Sequence, residues 1–337
     1  MTVTGTLGAT DLANLNTVAD VTSGVTTATI AGATSAQLAT ALGSGHSADA
    51  FTINMNAASF DGNDKIASAA EITALDGLSN ATITLTELES ISASDIGDVH
   101  TLVVTQQASG QLDFDTDYVV EVNDSGSALT SDAKLDQLSA ILNDTTGVVT
   151  AAITTLSTGD INDHLLNSTT SDLITITTGA QAATAADLAA LVGKTGVNVD
   201  AKAINTSTRV TGSLSQVNTL VGLEGAATDD VDLHANVLFT INNTALAAGD
   251  LGTLQTISAA TGGALIATVK NVVTTDITGA LSGTGSDAIA ITMNAATFDG
   301  TDKIASATEI TAIDDLTAGL ITLTSLDAIS SSDLDAV

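Results

Sequence analysis

Seven aspartates stand where their spacing could gather a hard cation. Asp113, Asp115 and Asp117 alternate in Leu112-Asp-Phe-Asp-Thr-Asp117, so on an extended strand all three carboxylates would project from one face. The same spacing resembles the first half of an EF-hand loop, with Glu121 and Asp124 at the later ligand positions. The sixth position is Tyr118, where the sharp turn demands glycine. That argues against a true EF-hand and leaves a looser calcium site or a solvated acidic edge. The other four aspartates come in a duplicated motif, Phe60-Asp-Gly-Asn-Asp64 and Phe298-Asp-Gly-Thr-Asp302, which sets Asp61 near Asp64 and Asp299 near Asp302. Calcium is one reading of these pairs. The plainer one is a turn in which Gly62 or Gly300 takes positive φ, the aspartates cap nearby amides, and Lys65 or Lys303 neutralises them. Asp229, Asp230 and Asp232 form a third acidic cluster with a weaker claim.

Catalytic chemistry finds little footing. The four histidines, His46, His100, His164 and His234, fall in unlike contexts, and none recurs where the chain copies itself; His46 is set against Gly285. There is no Gly-x-Ser-x-Gly elbow and no His-Glu-x-x-His. Gly193-Lys-Thr195 imitates the end of a phosphate-binding loop, but Leu188 stands where its first glycine belongs, so a helix C-cap is the better reading. With only seven basic residues scattered along the chain, no acid–base groove of a polysaccharide-cleaving enzyme is indicated. The expectation is a protein that is not an enzyme.

Any such sites must be carried by a repeating frame. A polar residue followed by a branched aliphatic recurs from Asp11-Leu12 to Asp333-Leu334, every 24 to 39 residues and about 29 on average, a solenoid-like period. In eight cases a Ser or Thr stands three residues earlier: Thr34/Gln37, Ser68/Glu71, Ser92/Asp95, Ser157/Asp160, Thr184/Asp187, Ser213/Gln216, Ser306/Glu309 and Ser330/Asp333. This is the capping-box pattern of a helix start. A second apolar residue follows one turn later, as in Leu12/Leu15, Ile72/Leu75, Leu135/Leu138, Leu188/Leu191 and Val217/Leu220. Each short helix therefore has one apolar stripe.

Between the helices lie β-branched runs that alternate with Thr: Val25–Ile30, Thr82–Thr86, Val148–Ile153, Leu173–Thr177, Leu265–Val269 and Leu320–Thr324. Strand and helix alternating every 25–30 residues implies parallel strands with right-handed crossovers. The expected fold is α/β: an elongated right-handed parallel β/α solenoid. Twelve coils at about 4.8 Å each would give a rod of roughly 60 Å. Residues 100–130 break the rhythm; Leu102–Thr105 and Tyr118–Val122 read as extra strands of an irregular β-rich insertion. The stretch 197–212 holds two strands before its helix.

A longer period overlies the short one. Met55–Ser68 returns as Met293–Ser306, 238 residues later, and the match extends with a single one-residue slip over 1–99 and 239–337. Residues 1–238 thus read as one super-repeat of eight to nine coils and 239–337 as the start of the next. An excerpt from a longer array is the expectation.

Composition agrees. Apolar residues make up 44% of the chain, enough for a core, but there are only five Phe, one Tyr and no Trp, so that core is small and aliphatic. Proline is absent where average usage would give about 17 residues, consistent with an unbroken hydrogen-bonded ladder. Cysteine is absent too, which removes disulfides and thiolate sites. A net charge of −32 repels phosphate backbones and anionic lipid, so neither nucleic acid nor a membrane surface is an expected partner, whereas divalent cations are. No apolar run is long enough to insert in a membrane, and the N-terminus lacks a basic-then-apolar signal, so export would need an address elsewhere in a parent chain or a C-terminal signal.

The series Thr/Ser-x-x-Asp-Leu-x-x-Leu followed by Thr-Gly-Val-x-Thr-Ala-x-Ile resembles the repeats of giant acidic surface proteins of bacteria, notably marine cyanobacteria, some implicated in adhesion or in swimming without flagella. The resemblance spans nearly the whole chain and brings no catalytic residues with it. It implies an extracellular or cell-surface location, a calcium-rich setting and secretion without a classical signal peptide. The expected role is a structural segment of a very large filament or surface layer, self-associating end to end. The alternative is an adhesin whose Thr-rich strands (Thr82/Thr84/Thr86, Thr322/Thr324) bind a cell-surface glycan, a mineral or ice.

Overall fold

The computed structural model describes all residues except 44–45, 206, 226–229, 324–325 and 331–337. It is an α/β protein of alternating short strands and helices, with several sheets whose strands run parallel. Two compact units divide it: residues 1–154, 163–175 and 194–197, and residues 155–162, 176–193 and 198–337.

In the first unit, β1 (Thr2–Leu7), β2 (Thr27–Ala33), β3 (Ala50–Met55), β5 (Ile83–Leu85) and β7 (Leu112–Phe114) make one sheet in that order. A second run pairs β4 (Ile66–Ala67) with β6 (Ser90–Asp95), then β8 (Val119–Asn123), then β9 (Val149–Thr154). The helices α1 (Leu12–Val21), α2 (Ser35–Leu42), α3 (Ala69–Asp76), α4 (Ile96–His100), α5 (Gln107–Ser109) and α6 (Asp132–Asp144) lie between them in sequence. From β3 to β8 a coil is therefore two strands and a helix, one strand more than the sequence pattern shows. The extra strand escapes notice because β4 is only two residues long.

In the second unit the six-stranded sheet runs β11 (Ala183–Thr184), β13 (Arg209–Gly212), β15 (Leu238–Ile241), β16 (Leu265–Val272), β17 (Ala288–Met293), β19 (Ile321–Thr322). The end of β10 (Leu173–Thr177) pairs with β12 (Val199–Ala201), which pairs with β14 (Val231–Leu233), and β18 (Ile304–Ala305) pairs with β20 (Ala328–Ile329). Its helices are α8 (Ala185–Val192), α9 (Leu214–Glu224), α10 (Leu251–Ala259), α11 (Thr274–Ala280) and α12 (Ala307–Asp314); α7 (Thr158–His164) falls at the division. Partners in register are as close as 21 residues in sequence (Val272 and Met293) and as far as 32 (Val199 and Val231).

The apolar stripes are where the sequence places them. Leu12/Leu15, Ile72/Leu75, Leu135/Leu138, Leu188/Leu191 and Val217/Leu220 are all buried. Each such side chain contributes about 1.5–3 kcal/mol by leaving water. Of the eight capping boxes, Thr34/Gln37, Ser68/Glu71, Ser213/Gln216 and Ser306/Glu309 close reciprocally. Thr184 caps Asp187 one way, and Ser157 accepts from the Asp160 amide while its hydroxyl donates to the Asp160 carboxylate. Ser330/Asp333 includes Asp333, outside the described residues.

Two expectations need correction. Ser92 lies inside β6, and Asp95 itself is the cap of α4, accepting from the Gly97 amide. Leu102–Thr105 is not a strand: Thr101–Gln106 is wound as a π-helix that joins α4 to α5. Leu102 and Val103 are buried there on one face. A run of β-branched residues favours a strand only weakly against such tertiary burial. So 100–130 begins helical and becomes β-rich only from Leu112, with Val119–Asn123 close to the expected second strand.

The duplication is visible in backbone detail. Both β2 and β16 break register one residue before their end, at Gly32 (φ +74°) and at Asn271 (φ +61°). Glycine takes the left-handed conformation freely, and Asn is among the few other residues that tolerate it. The one-residue slip falls between Leu42 and Asp49, since Asp49 matches Asp287 and Leu42 matches Leu281. The same turn bond, from Asp49 N to His46 O and from Asp287 N to Thr284 O, puts Thr284 rather than Gly285 opposite His46.

Candidate functional site

The duplicated acidic loops close on themselves in both copies. Asp61 Oδ1 accepts from the Asn63 amide at 2.7 Å, Asp64 Oδ1 accepts from the Ile66 amide at 3.0 Å, and the Phe60 amide donates to Asp64 O at 2.5 Å. Asp299 and Asp302 repeat this with Thr301 N (2.7 Å), Asp302 N (3.0 Å) and Ile304 N (2.7 Å). Gly62 and Gly300 have positive φ, as the turn reading requires. Amide donation holds the Asp61 carboxyl below its ordinary pKa, chiefly through Asn63, and the Asp299 carboxyl likewise, chiefly through Asp302. Both carboxylates therefore stay ionised at neutral pH.

Lys65 does not neutralise the Asp61/Asp64 pair, contrary to expectation. Its Nζ lies 3.5 Å from Glu87 and 3.4 Å from Glu89, on the following coil. Asp113, Asp115 and Asp117 do not share one strand face either. The strand ends at Phe114, Asp113 is exposed upon it, and Asp115 turns to accept from the Thr116 amide at 2.7 Å. Phe114 and Tyr118, 5.4 Å apart ring to ring, bury themselves and bend the chain out of extension. Of the third cluster, Asp232 pairs with Lys202, and Asp229 lies outside the described residues. Among the described residues no group of three or more His, Asp or Glu side chains is placed to hold a metal ion.

The histidines are dispersed. His46 is buried, its ring 3.0 Å from Asp49 Oδ2 and 2.7 Å from Asn16 Oδ1. His164 sits outside α6, 2.8 Å from Asp136. His234 Nδ1 accepts from the Asn236 amide. Tyr118 donates to Asp144 at 2.6 Å, and burial, with that partner, pushes its phenol well above the usual range.

What the sequence reasoning missed is a set of buried carboxylates that join coil to coil. Asp49 Oδ1 accepts from the Thr26 amide (2.7 Å), Asp172 Oδ1 from Val149 (3.1 Å) and Asp287 Oδ1 from Leu265 (2.8 Å). Each stands directly before a strand and caps the amide that opens a neighbouring one. Each main-chain carbonyl in turn accepts from a hydroxyl on the next coil: Ser79, Thr195 and Thr317. A visible signal existed, the Ser/Thr-x-Ala/Gly before a strand in Ser79-Asn-Ala81, Thr145-Thr-Gly147, Thr261-Gly-Gly263 and Thr317-Ala-Gly319. The close approach is why glycine recurs: a Cβ on Gly147 would lie 2.3 Å from Tyr118 O, and one on Gly263 2.3 Å from Val237 O.

A cleft of about 370 Å³ lies between α2 and α3, roofed by the Asp61–Asn63 turn. Ala36, Ala39, Ala74, Leu75 and Leu78 form its walls, and Ser35, Asp61, Asn63 and Glu71 its polar lining. Among the described residues no helix is long and apolar enough to cross a membrane. The chain matches no family model, no curated protein and no solved structure.

Proposed function

We propose that this chain is a structural repeat segment of a very large extracellular filament or surface-layer protein, its coils continuing as a right-handed β/α solenoid. The observation that carries the reading is the clip from coil to coil, in which a buried Asp caps one strand and a Ser or Thr hydroxyl then holds that Asp's own carbonyl. Such a device makes each coil depend on its neighbours, which is how solenoids acquire cooperativity along an axis.

A difference between the two copies supports extension of the stack. In the second copy β15 pairs on both sides, with β13 and β16, and Ile241 and Leu246 are buried. In the first copy β1 pairs with β2, its other edge is open, and Thr2 and Leu7, which match Ile241 and Leu246, are less covered. Whichever polypeptide supplies it, a coil like residues 209–238 is the natural cover, since open strand edges invite pairing. Calcium bridges between acidic faces add a lateral link, with the Asp61/Asp64 and Asp299/Asp302 turns and Asp113–Asp117 as contact points. Low-dose imaging of the native material tests the reading. Continuous fibres with an axial repeat set by one 238-residue unit support it, and dispersed monomers sink it. Calorimetric melting with added calcium tests the ion bridges, which are refuted if the melting temperature does not rise.

A second reading, an adhesin, is favoured by one feature. Thr6, Thr29 and Thr52 stand in register across β1, β2 and β3; Thr6 is exposed, and Thr29 and Thr52 alternate with buried residues and so face outward. In the second copy the matching positions are Ala245, Thr268 and Ala290, of which Thr268 and Ala290 stand in register, so the row is broken. Of the expected ladders within strands, only Thr84 of its trio lies inside β5, and Thr324 lies outside the described residues. Binding of a glycan or mineral that disappears in Thr29→Val/Thr52→Val would move the assignment to adhesion.

A further inference from the structure

The cleft between α2 and α3 has no part in stacking, and the second copy supplies a natural control for it. At about 370 Å³ it falls in the size range of small-molecule sites, which are mostly apolar with a few convergent polar groups. Its lining contains two carboxylates, Asp61 and Glu71, and no basic side chain. Glu71 spends Oε2 on the Ser68 amide and hydroxyl, both at 2.8 Å, and keeps Oε1 for another donor. Asp61 Oδ2 accepts one bond, from Asn63 Nδ2 at 2.9 Å, and has capacity for a second. The nearest lysine in sequence, Lys65, is turned away to Glu87 and Glu89.

The second copy retains both acids, as Asp299 and Glu309, but carries larger side chains on the facing helix. Thr275 and Thr278 stand where the first copy has Ala36 and Ala39. Their hydroxyls are engaged locally, Thr275 with Asp299 O at 3.5 Å and Thr278 with Thr274 O at 2.8 Å, so their extra atoms occupy the same helix face. Charge is common to the two copies, and the alanine floor belongs to the first.

We propose that this cleft binds a small organic ammonium ion, its head between Asp61 and Glu71 and its apolar body against Ala36, Ala39, Ala74 and Leu75. The proposal does not depend on the filament reading. A body of about eight to twelve non-hydrogen atoms suits the volume, and at ordinary ligand efficiency the affinity is in the micromolar to millimolar range.

The test is a titration of the full chain with phenethylammonium, followed by NMR of the alanine and leucine methyls and the loop amides. Saturable shifts confined to residues 35–39, 61–63 and 71–78 are expected, with the neutral isostere 2-phenylethanol at least about tenfold weaker. Ala36→Thr/Ala39→Thr, which installs the second copy's residues, is expected to abolish the shifts while leaving the melting temperature in place. Calcium, by contrast, would shift the 61–66 and 299–304 turns alike. Absence of saturation up to about 10 mM overturns the proposal, since that affinity is below any useful site of this size. Equal binding of the alcohol, or equal shifts at 274–278 and 299–313, overturns it as well.

Discussion

The two copied stretches, residues 1–99 and the described part of 239–337, solve one structural problem with different residues. Asp49 and Asp287 cap the opening amide of the preceding strand at 2.7 and 2.8 Å, and both receive a hydroxyl and an amide from the following coil. Their outer oxygens are served differently. Asp49 Oδ2 faces the buried His46 ring at 3.0 Å, whereas Asp287 Oδ2 accepts from the Ser258 hydroxyl at 2.6 Å. The histidine reaches in from the loop that holds the one-residue slip; the serine comes from α10, where the first copy has Ala19. What the copies share is the demand that a buried carboxylate be fully partnered. Which group meets it is open to exchange, and this separates coil-to-coil clips from decoration.

The sharpest way to break the comparison is to remove the shared group. Asp49→Ala orphans the Thr26 amide and strips His46 of a partner, and a loss of about 3 kcal/mol is expected from urea unfolding. Asp287→Ala orphans the Leu265 amide but leaves behind only a small hydroxyl, so about 2 kcal/mol is expected. Hydrogen exchange at the Thr26 and Leu265 amides should accelerate in the matching variant alone. Equal, near-zero losses would show that the carboxylates are ornaments.

A smaller effect sharpens the geometry. Gly319 corresponds to Ala81, yet a Cβ on Gly319 would sit 2.4 Å from Ile289 O. The first copy demonstrates a backbone course that admits the methyl. Gly319→Ala is thus expected to cost about 1 kcal/mol, the low end for overpacking, as the second copy shifts toward the first. A cost near that of losing Asp287 would mean that the two courses do not interconvert.

Capping should be indifferent to copy. Ser68→Ala and Ser306→Ala each remove a reciprocal box with matching lengths, Glu71 N to Ser68 Oγ at 3.3 Å and Glu309 N to Ser306 Oγ at 3.2 Å. About 1 kcal/mol is expected from each in thermal melts, and a difference above half of that would reveal unequal surroundings.

These boxes were also the most legible part of the chain, because a cap is a local event: the donor, the acceptor and the helix start lie within four residues. The apolar stripes were legible for the same reason. Ser92/Asp95 misled because Asp95 caps by itself, accepting from the amide two residues on, while Ser92 lies in the register break where β6 pairs with β8. Leu102–Thr105 misled because four β-branched or aliphatic residues carry no sign of the helix turns on either side that enrol them. Of the clips at Asp49, Asp172 and Asp287, the hydroxyl side left a trace before the strands at Ser79 and Thr317, but the carboxylate side did not, since its partners are more than twenty residues away and a lone Asp before a strand looks like any turn. Of the candidate acids, the Asp61 and Asp299 turns were read correctly in outline, from Asp and Gly at fixed offsets, while the cleft above Ala36 and Ala39 has no local signature at all.

His164 gives the weakest effect and a control for His46, since both rings face carboxylates but only His46 is enclosed. The Asp136 hydrogen bond at 2.8 Å is the main cause raising the His164 pKa above its ordinary value, and the Asp136, Asp132 and Asp163 charges add to it. A raised folded-state value means that the imidazolium form favours the fold. That contribution is complete below the unfolded value near 6.5 and disappears as pH climbs through the raised value. The ring stands at the surface, where water and salt screen the pair, so the expected change in melting temperature between pH 6 and pH 8.5 is small and shrinks further in high salt. His164→Gln should erase that portion of the pH dependence and its salt sensitivity while leaving the Thr26 amide's exchange untouched. A pH profile unchanged by the substitution would show that the Asp132–Asp136–His164 contact contributes nothing to the folded state.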